Sequence, residues 1–250
     1  MEPNYLLLNL GSFLTEPLTH DFMRKAILIS SLVASVCGLL SSFLTLKGWA
    51  LMGDAVSHAV MPGVVVAYAL GVPFSLGAFI FGVGSVTLIG FIKQKSRVKE
   101  DTVIGLVFTG FFAFGIVLVS KIKSNIDLMH ILFGSPLGIS MSDIKQTIFI
   151  SILVVALLTV FKKDLTLYCF DPRHAKTVGI NVLFLHYLLL TCLSLSAVVG
   201  LQTVGIVLVV AMLITPGATA YLLTDQFDRM AIISILSSII SSFFLLYQIE

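Results

Sequence analysis

Charge is what this sequence has least of. Asp, Glu, Lys and Arg make up 11% of its 250 residues, against about a quarter in an ordinary soluble domain. A soluble domain of this size needs a charged outer surface, and these residues are too few to build one. Net charge is only +2, which argues against a nucleic-acid partner. The three cysteines, Cys37, Cys169 and Cys192, are far apart and form no CxxC pair. That argues against a disulfide framework and a thiolate metal site. The first twenty residues contain no Lys or Arg and do not read as a cleavable signal peptide. No GxxxxGK[ST] loop occurs, so the chain does not hydrolyse nucleotide by a P-loop mechanism. An HExxH helix of the zinc proteases is missing as well.

What is present is apolar. Hydrophobic residues account for 58% of the chain, and the mean hydropathy is +1.07. The few charges cluster, leaving apolar runs of about 20 residues, the length of helix that spans a bilayer. Eight such runs occupy residues 26–46, 53–71, 73–92, 102–120, 143–161, 181–200, 204–223 and 230–248. This predicts an all-α integral membrane protein with about eight transmembrane helices, one transmembrane domain over residues 1–250. Gly71-Val72-Pro73 marks a tight turn between the second and third runs, and Gly200 to Thr203 breaks the sixth from the seventh. Residues 122–141 form the longest loop. Its apolar piece, Leu128 to Gly138, is too short to span and lies at the interface or dips into it.

The basic residues orient these spans. One set of loops carries ten: Lys47, Lys93, Lys95, Arg97, Lys99, Lys162, Lys163, Arg173, Lys176 and Arg229. The opposite set carries five: Arg24, Lys25, Lys121, Lys123 and Lys145. The richer side is expected to be cytoplasmic. Both chain ends then lie outside. An even count with that arrangement is unusual, and a further segment near residues 5–20 or beyond Glu250 would change it.

The most informative stretch is Leu51 to Gly63 in the second run. Asp54 and His58 are four residues apart and share one helical face, with Met61 seven residues from Asp54 on the same face. A carboxylate in hydrocarbon is costly and persists where it faces a bundle interior, a water-filled path or a cation. A carboxylate oxygen with an imidazole nitrogen suits Mn, Fe or Zn. Pro62 has no N–H, so the carbonyl of His58 loses its helical partner. Gly53, Ala55, Ala59 and Gly63 let another helix approach closely. The plainer alternatives are that Asp54 caps the helix near Lys47, that His58 bonds a neighbouring helix, and that Met61 is packing.

The seventh run holds a second internal proline, Pro216, between Thr215 and Gly217, with Thr219 one turn on. Pro62-Gly63 and Pro216-Gly217 form a weak internal echo, and broken helices in two halves of a transporter point to the pathway. A kinked packing helix is the plainer reading of Pro216. His130 and His186 read as lone structural or interfacial histidines. Between the fifth and sixth runs, Asp171 can cap a short helix that has Pro172 at its first position and Gly179 at its end. With Phe170 ahead of it, this two-turn helix suits docking to a partner. It also suits a connector held at lipid headgroups by Lys162, Lys163 and Arg173.

Gly53-Asp-Ala-Val-Ser-His-Ala-Val-Met-Pro-Gly63 closely resembles the signature of the membrane subunits of bacterial manganese/zinc/iron ABC importers. Phe170-Asp-Pro-x-x-Ala175-x-x-x-Gly179-Ile and the stretch Val204 to Ala220 resemble that family in the same order. The resemblance implies a permease related to the cobalamin and siderophore importers, in the bacterial cytoplasmic membrane. Two copies would pair about a central path, with a cytoplasmic ABC ATPase on each and an extracellular or periplasmic metal-binding protein delivering the ion. Carried over by position, Asp54 and His58 would be the metal ligands. Pro62, Gly63, Thr215 and Pro216 would shape the pathway. The helix over 171–179, with Phe170, Asp171, Arg173, Ala175 and Gly179, would couple to the ATPase. The metal, Mn, Zn or Fe, would be cargo rather than a resident cofactor, ATP would be used on the partner subunit, and the chain itself would not be an enzyme. Family members continue with another hydrophobic segment and a basic tail, and this chain departs from them at Glu250. A gradient-driven secondary transporter using Asp54 and His58 is the alternative. An intramembrane enzyme would need a third ligand and a nucleophile, and neither is evident in the sequence. Import is not separable from export by these residues alone.

Overall fold

A computed structural model describes residues 21–121 and 141–248, and all its regular elements are helices. They are α1 (Asp21–Lys47), α2 (Ala50–Leu70), α3 (Phe74–Lys95), α4 (Glu100–Lys121), α5 (Met141–Val160), α6 (Lys162–Phe170), α7 (Pro172–Thr177), α8 (Val182–Thr203), α9 (Ile206–Leu223) and α10 (Phe227–Gln248). The eight predicted runs correspond to the eight long helices. Seven of these are long and apolar enough to cross a membrane, and the apolar stretch of α9, Val207–Leu223, is shorter. His130, the Leu128 to Gly138 piece and the first twenty residues lie outside the described residues.

Two boundaries differ from expectation for physical reasons. α8 continues through the predicted break and ends at Thr203. The chain turns instead at Gly205, whose φ of 83° lies in the left-handed region that glycine adopts without penalty. Gly200 serves close packing: a Cβ there would stand 2.3 Å from Val209 of α9. The second difference is α6. Residues 162–170 were expected to be part of a loop, yet they form a helix that buries Leu165, Tyr168 and Cys169. The spacing i, i+3, i+4 is that of one helical face.

α1 is the central pillar. It packs against α9 and α10 along most of its length and against α5 and α8 on other sides. Phe43, Leu40 and Leu44 of α1 join Leu189 and Leu193 of α8 in the main core. α4 and α5 keep many large apolar side chains on the outside, among them Leu106, Phe149 and Ile152, which is the composition a hydrocarbon-facing surface requires. Some hydroxyls inside the bundle bond their own helices: Ser57 Oγ donates to the Gly53 carbonyl at 2.8 Å and Ser196 Oγ to the Cys192 carbonyl at 2.8 Å.

One hydroxyl joins two helices at a kink. Pro216 interrupts the hydrogen-bond ladder of α9. The next amide, Gly217 N–H, donates to Ser41 Oγ of α1 at 2.9 Å, and Ser41 Oγ donates to the Ile214 carbonyl at 3.3 Å. Gly217 must be glycine for this approach, because a Cβ would lie 2.4 Å from the Ser41 carbonyl oxygen. Ser41→Ala is therefore expected to destabilise the folded protein by about 1 kcal/mol, the scale of an interhelical hydrogen bond in a membrane. Thermal unfolding in detergent checks this, and an unchanged midpoint would show the stitch to be incidental.

Candidate functional site

α2 starts at Ala50, and its N-cap is Trp49, with no side-chain cap bond. Asp54 is thus not the cap of its helix. It lies one turn in, about 6 Å along the axis, and His58 lies about 12 Å in, at 1.5 Å per residue. Asp54 Oδ1 and His58 Nε2 are 3.3 Å apart. From Met52 to Val65 every residue of α2 is buried except these two; their side chains are 32% and 20% exposed. An otherwise enclosed helix therefore presents two polar groups, and only those, on an open face. The two rings of Phe108 and Phe112 from α4 meet the His58 ring edge-on at 5.1 and 5.3 Å. His58 Nδ1 is buried and has no hydrogen-bond partner among the described residues.

This separation is chemically meaningful. Two donors each about 2.1 Å from one ion, at a tetrahedral angle, lie about 3.4 Å apart. Asp54 and His58 can therefore occupy adjacent positions on a single divalent ion without moving. Met61 does not join them; it is 1% exposed and belongs to the packing. Among the described residues no group of three or more His, Cys, Asp or Glu side chains converges. A single described chain thus offers two side-chain ligands here.

The small residues of α2 have the predicted effect. Gly63 and Gly77 of α3 touch backbone to backbone, so that a Cβ on Gly63 would stand 2.3 Å from the Gly77 carbonyl oxygen. Gly53 sits against Leu213 of α9, and Gly115 of α4 against the ring of Pro62. The site helix is held on three sides by glycine contacts. Thr215 and Thr219 of α9 are exposed, with Thr219 Oγ1 donating to the Thr215 carbonyl at 2.9 Å. Pro216 is buried at the Ser41 stitch.

The second feature is α7. Asp171 caps it as predicted, accepting from Arg173 N–H at 2.9 Å and His174 N–H at 3.0 Å, with Pro172 in the first turn. The helix is six residues long, shorter than the two turns expected. Gly179 follows with φ 89°, a conformation that lets the chain turn back into α8. Ala175 is fully buried and anchors the helix, while Phe170, Asp171, Arg173, His174 and Lys176 are exposed. The His174 amide foremost, with that of Arg173, holds the Asp171 carboxyl below its ordinary value of 3.8, against a smaller opposing effect of desolvation. A carboxyl depressed in the folded state stabilises above its unfolded pKa, and that stabilisation is lost as pH falls through the lower folded value. Hydrogen-exchange protection of the Arg173 and His174 amides should therefore be retained at about pH 6 and decline once the pH is taken well below the carboxyl's ordinary 3.8, after correction for intrinsic rates. Protection that does not change over that interval would show that the cap does not hold α7.

Sequence reading missed a cluster beneath α7. Lys47 Nζ donates to the Tyr168 carbonyl at 3.3 Å and stands 4.0 Å from the Tyr168 ring centre. Tyr168 Oη is 2.9 Å from His186 Nδ1, and Trp49 meets the His186 ring edge-on at 5.3 Å. His186 is thus not a lone histidine. The cluster ties α6, next to α7, to the start of α2. The apolar period that places Tyr168 inward was legible, but its meeting with His186 joins separate helices. Neighbouring Cys169 is inert: burial pushes its thiol up to about 12, against a smaller lowering by Lys47.

Over 229 residues the chain is 55% identical to the manganese transport system membrane protein MntB of Synechocystis, covering 92% of this chain and 75% of that one. It is 48% identical to the chelated iron transport system membrane protein YfeD of Yersinia pestis, covering 93% and 78%. The solved structure of PsaBC from Streptococcus pneumoniae in complex with Fab superposes with a TM-score of 0.81 at 36% identity, covering 96% of this chain and 94% of that chain. An inward-facing structure of a putative metal-chelate type ABC transporter shares the fold, with a TM-score of 0.70 at 16% identity and coverage of 90% and 77%. The model of the ABC 3 transport family matches residues 19–248, and the chain belongs to that family.

Proposed function

We propose that this chain is the membrane-spanning permease subunit of an ATP-driven importer of divalent transition-metal ions, with Asp54 and His58 lining the ion's path. The observation that carries the reading is the isolation of this pair. On a helix buried from Met52 to Val65, only the carboxylate and the imidazole reach an open face, 3.3 Å apart, the spacing of two ligands on one ion. Relatives that bear the names of manganese and iron transport proteins support the substrate class; zinc is compatible with the same donors. Two side-chain ligands leave positions for water, for the His58 carbonyl freed by Pro62, and for a second copy of the chain. In this reading two permeases pair in the cytoplasmic membrane with their α2 faces toward a shared path. A pathway site made of few ligands also suits release, which a conducting site needs.

Family membership implies an ABC ATPase and a binding protein outside the membrane. The exposed rim of α7, built by Phe170, Asp171, Arg173 and Gly179 and anchored from within by buried Ala175, is the docking element for the ATPase. Its motion reaches α2 through Tyr168, His186 and Trp49. Alternating access then follows: movement of α7 tilts the helices around the pair, which opens first to the binding protein and then to the cytoplasm. The test is uptake of radiolabelled manganese, with iron and zinc as competitors, into vesicles holding this chain, its ATPase and its binding protein. ATP-dependent accumulation is the expected result. No accumulation in a preparation where the ATPase demonstrably binds the permease would overturn the reading, and uptake that ignores ATP but collapses with an ion gradient would replace it with a secondary transporter.

A further inference from the structure

At the basic end of the bundle lies a cavity of about 600 Å³, within the size range of small-molecule sites. It is distinct from the Asp54–His58 face. Three lysines line it, each from a different element: Lys47 ends α1, Lys93 is in the last turn of α3 and Lys176 is on α7. None of the described residues that line it is acidic. Lys47 Nζ donates to the Tyr168 carbonyl at 3.3 Å; Lys93 Nζ donates to the Val98 carbonyl at 3.3 Å, and that carbonyl does not neutralise its ammonium. Among the described residues neither Lys93 nor Lys176 forms an ion pair. Lys93 and Lys176 thus bring positive charge to a concave space whose described lining contains no acidic side chain.

The rest of the lining carries polar side chains at Tyr168, Asn181 and His186 and an apolar wall that runs into the spanning part of the bundle. Val86 and Ile89 of α3 precede Lys93 at helical spacing, and Val182 and Leu190 face them from α8. The interval from Val86 to Lys93 is about 10 Å of helix, and that from Val182 to Leu190 about 12 Å. Trp49 and Met52 of the α1–α2 junction, both buried, complete the lining. The cavity therefore has a cationic mouth at the level where α1 and α3 leave the membrane and an apolar cleft behind it. A small soluble anion would satisfy the mouth and leave the cleft empty. A zwitterionic headgroup would bring no net charge to Lys93 and Lys176. A ligand with one anionic phosphate and a hydrocarbon body matches both parts.

We propose that this cavity binds an anionic phospholipid, its phosphodiester held by Lys93 and Lys176 beside the Lys47 end of α1 and its first acyl carbons in the cleft between α3 and α8. The occupant bridges α7 to α1 and α3, so it braces the short helix that Ala175 alone anchors from within. It also lies against His186, whose Nδ1 is taken by Tyr168.

Native mass spectrometry of the full chain, purified with its ATPase in detergent and supplied with phosphatidylglycerol, tests this. The wild type is expected to retain one phosphatidylglycerol per permease. Lys93→Gln with Lys176→Gln is expected to lower that retention at least tenfold, while Lys95→Gln with Lys99→Gln, which removes equal charge from the same end outside the cavity, leaves it unchanged. Size-exclusion profiles establish that the variants are folded, and Lys176→Gln alone, on an exposed position, gives a second, partial loss. Equal retention by the wild type and the cavity variant would overturn the proposal, as would equal loss in the Lys95/Lys99 variant or equal retention of phosphatidylcholine. Displacement of the lipid by glycerol 1-phosphate at matching concentration would also overturn it, and would reassign the cavity to a soluble phosphate ester.

Discussion

Asp54→Ala is expected to reduce metal uptake by at least about a hundredfold, since even residues that only support a metal ligand cost 10- to 100-fold when lost. The folded protein should tolerate the change, because the Asp54 side chain is about one-third exposed and its only ion-pair partner among the described residues is His58. His58→Ala should show the same loss, and the double variant should lose no more than either single one, since two ligands to one ion act as a unit. His58→Ala also removes the ring packed against Phe108 and Phe112, so its thermal midpoint is expected to fall more than that of Asp54→Ala. The decisive measurement is uptake normalised to folded permease in the vesicle. Wild-type uptake by Asp54→Ala would remove the pair from the pathway. A loss matched by a parallel loss of folded protein would make the pair structural. Retention of ATPase activity while uptake disappears is the pattern a pathway role produces.

Gly77→Val is expected to be the most damaging single change to the fold. A Cβ on Gly77 would stand 2.2 Å from the Gly63 carbonyl oxygen, and one on Gly63 2.3 Å from that of Gly77. These obstacles are backbone atoms, which no side-chain rotation relieves, so α2 and α3 must separate. Overpacking a tight contact costs about 1–3 kcal/mol and more where the backbone has to move, and this contact also positions the helix bearing Asp54 and His58. Unfolding in detergent should show a fall in midpoint of several degrees or failure to accumulate in the membrane. The control is Gly84→Ala on the same helix, where a Cβ would meet nothing within 4 Å. There the better helix propensity of alanine should leave stability equal or raised by up to about 1 kcal/mol. If both variants behave alike, the close approach of α2 and α3 does not hold the site.

Much of this was legible in the sequence, and the reasons are local. Long apolar runs between clustered charges determine spanning helices because a bilayer forbids unsatisfied backbone. Asp171 with Pro172 determines a helix start because the carboxylate and the missing N–H both suit the first turn. The i, i+4 spacing of Asp54 and His58 determines that they share a face, since helix geometry requires nothing from the rest of the chain. The order of three motifs pointed to the family that the comparison with relatives then established.

What only the tertiary structure decided concerns which face meets what. Periodicity put Met61 beside Asp54, but Gly115 of α4 approaches there, and Met61 became packing while Asp54 and His58 stayed open. Gly200 reads as a helix breaker until Val209 is placed against it. His186 reads as solitary until α6 brings Tyr168 within 2.9 Å. Lys47, Lys93 and Lys176 counted only toward orientation until three elements brought them around one cavity. In each case the deciding partner lies on another helix. Interhelical contact depends on how the surfaces of whole helices fit together, which the residues of one segment do not encode by themselves.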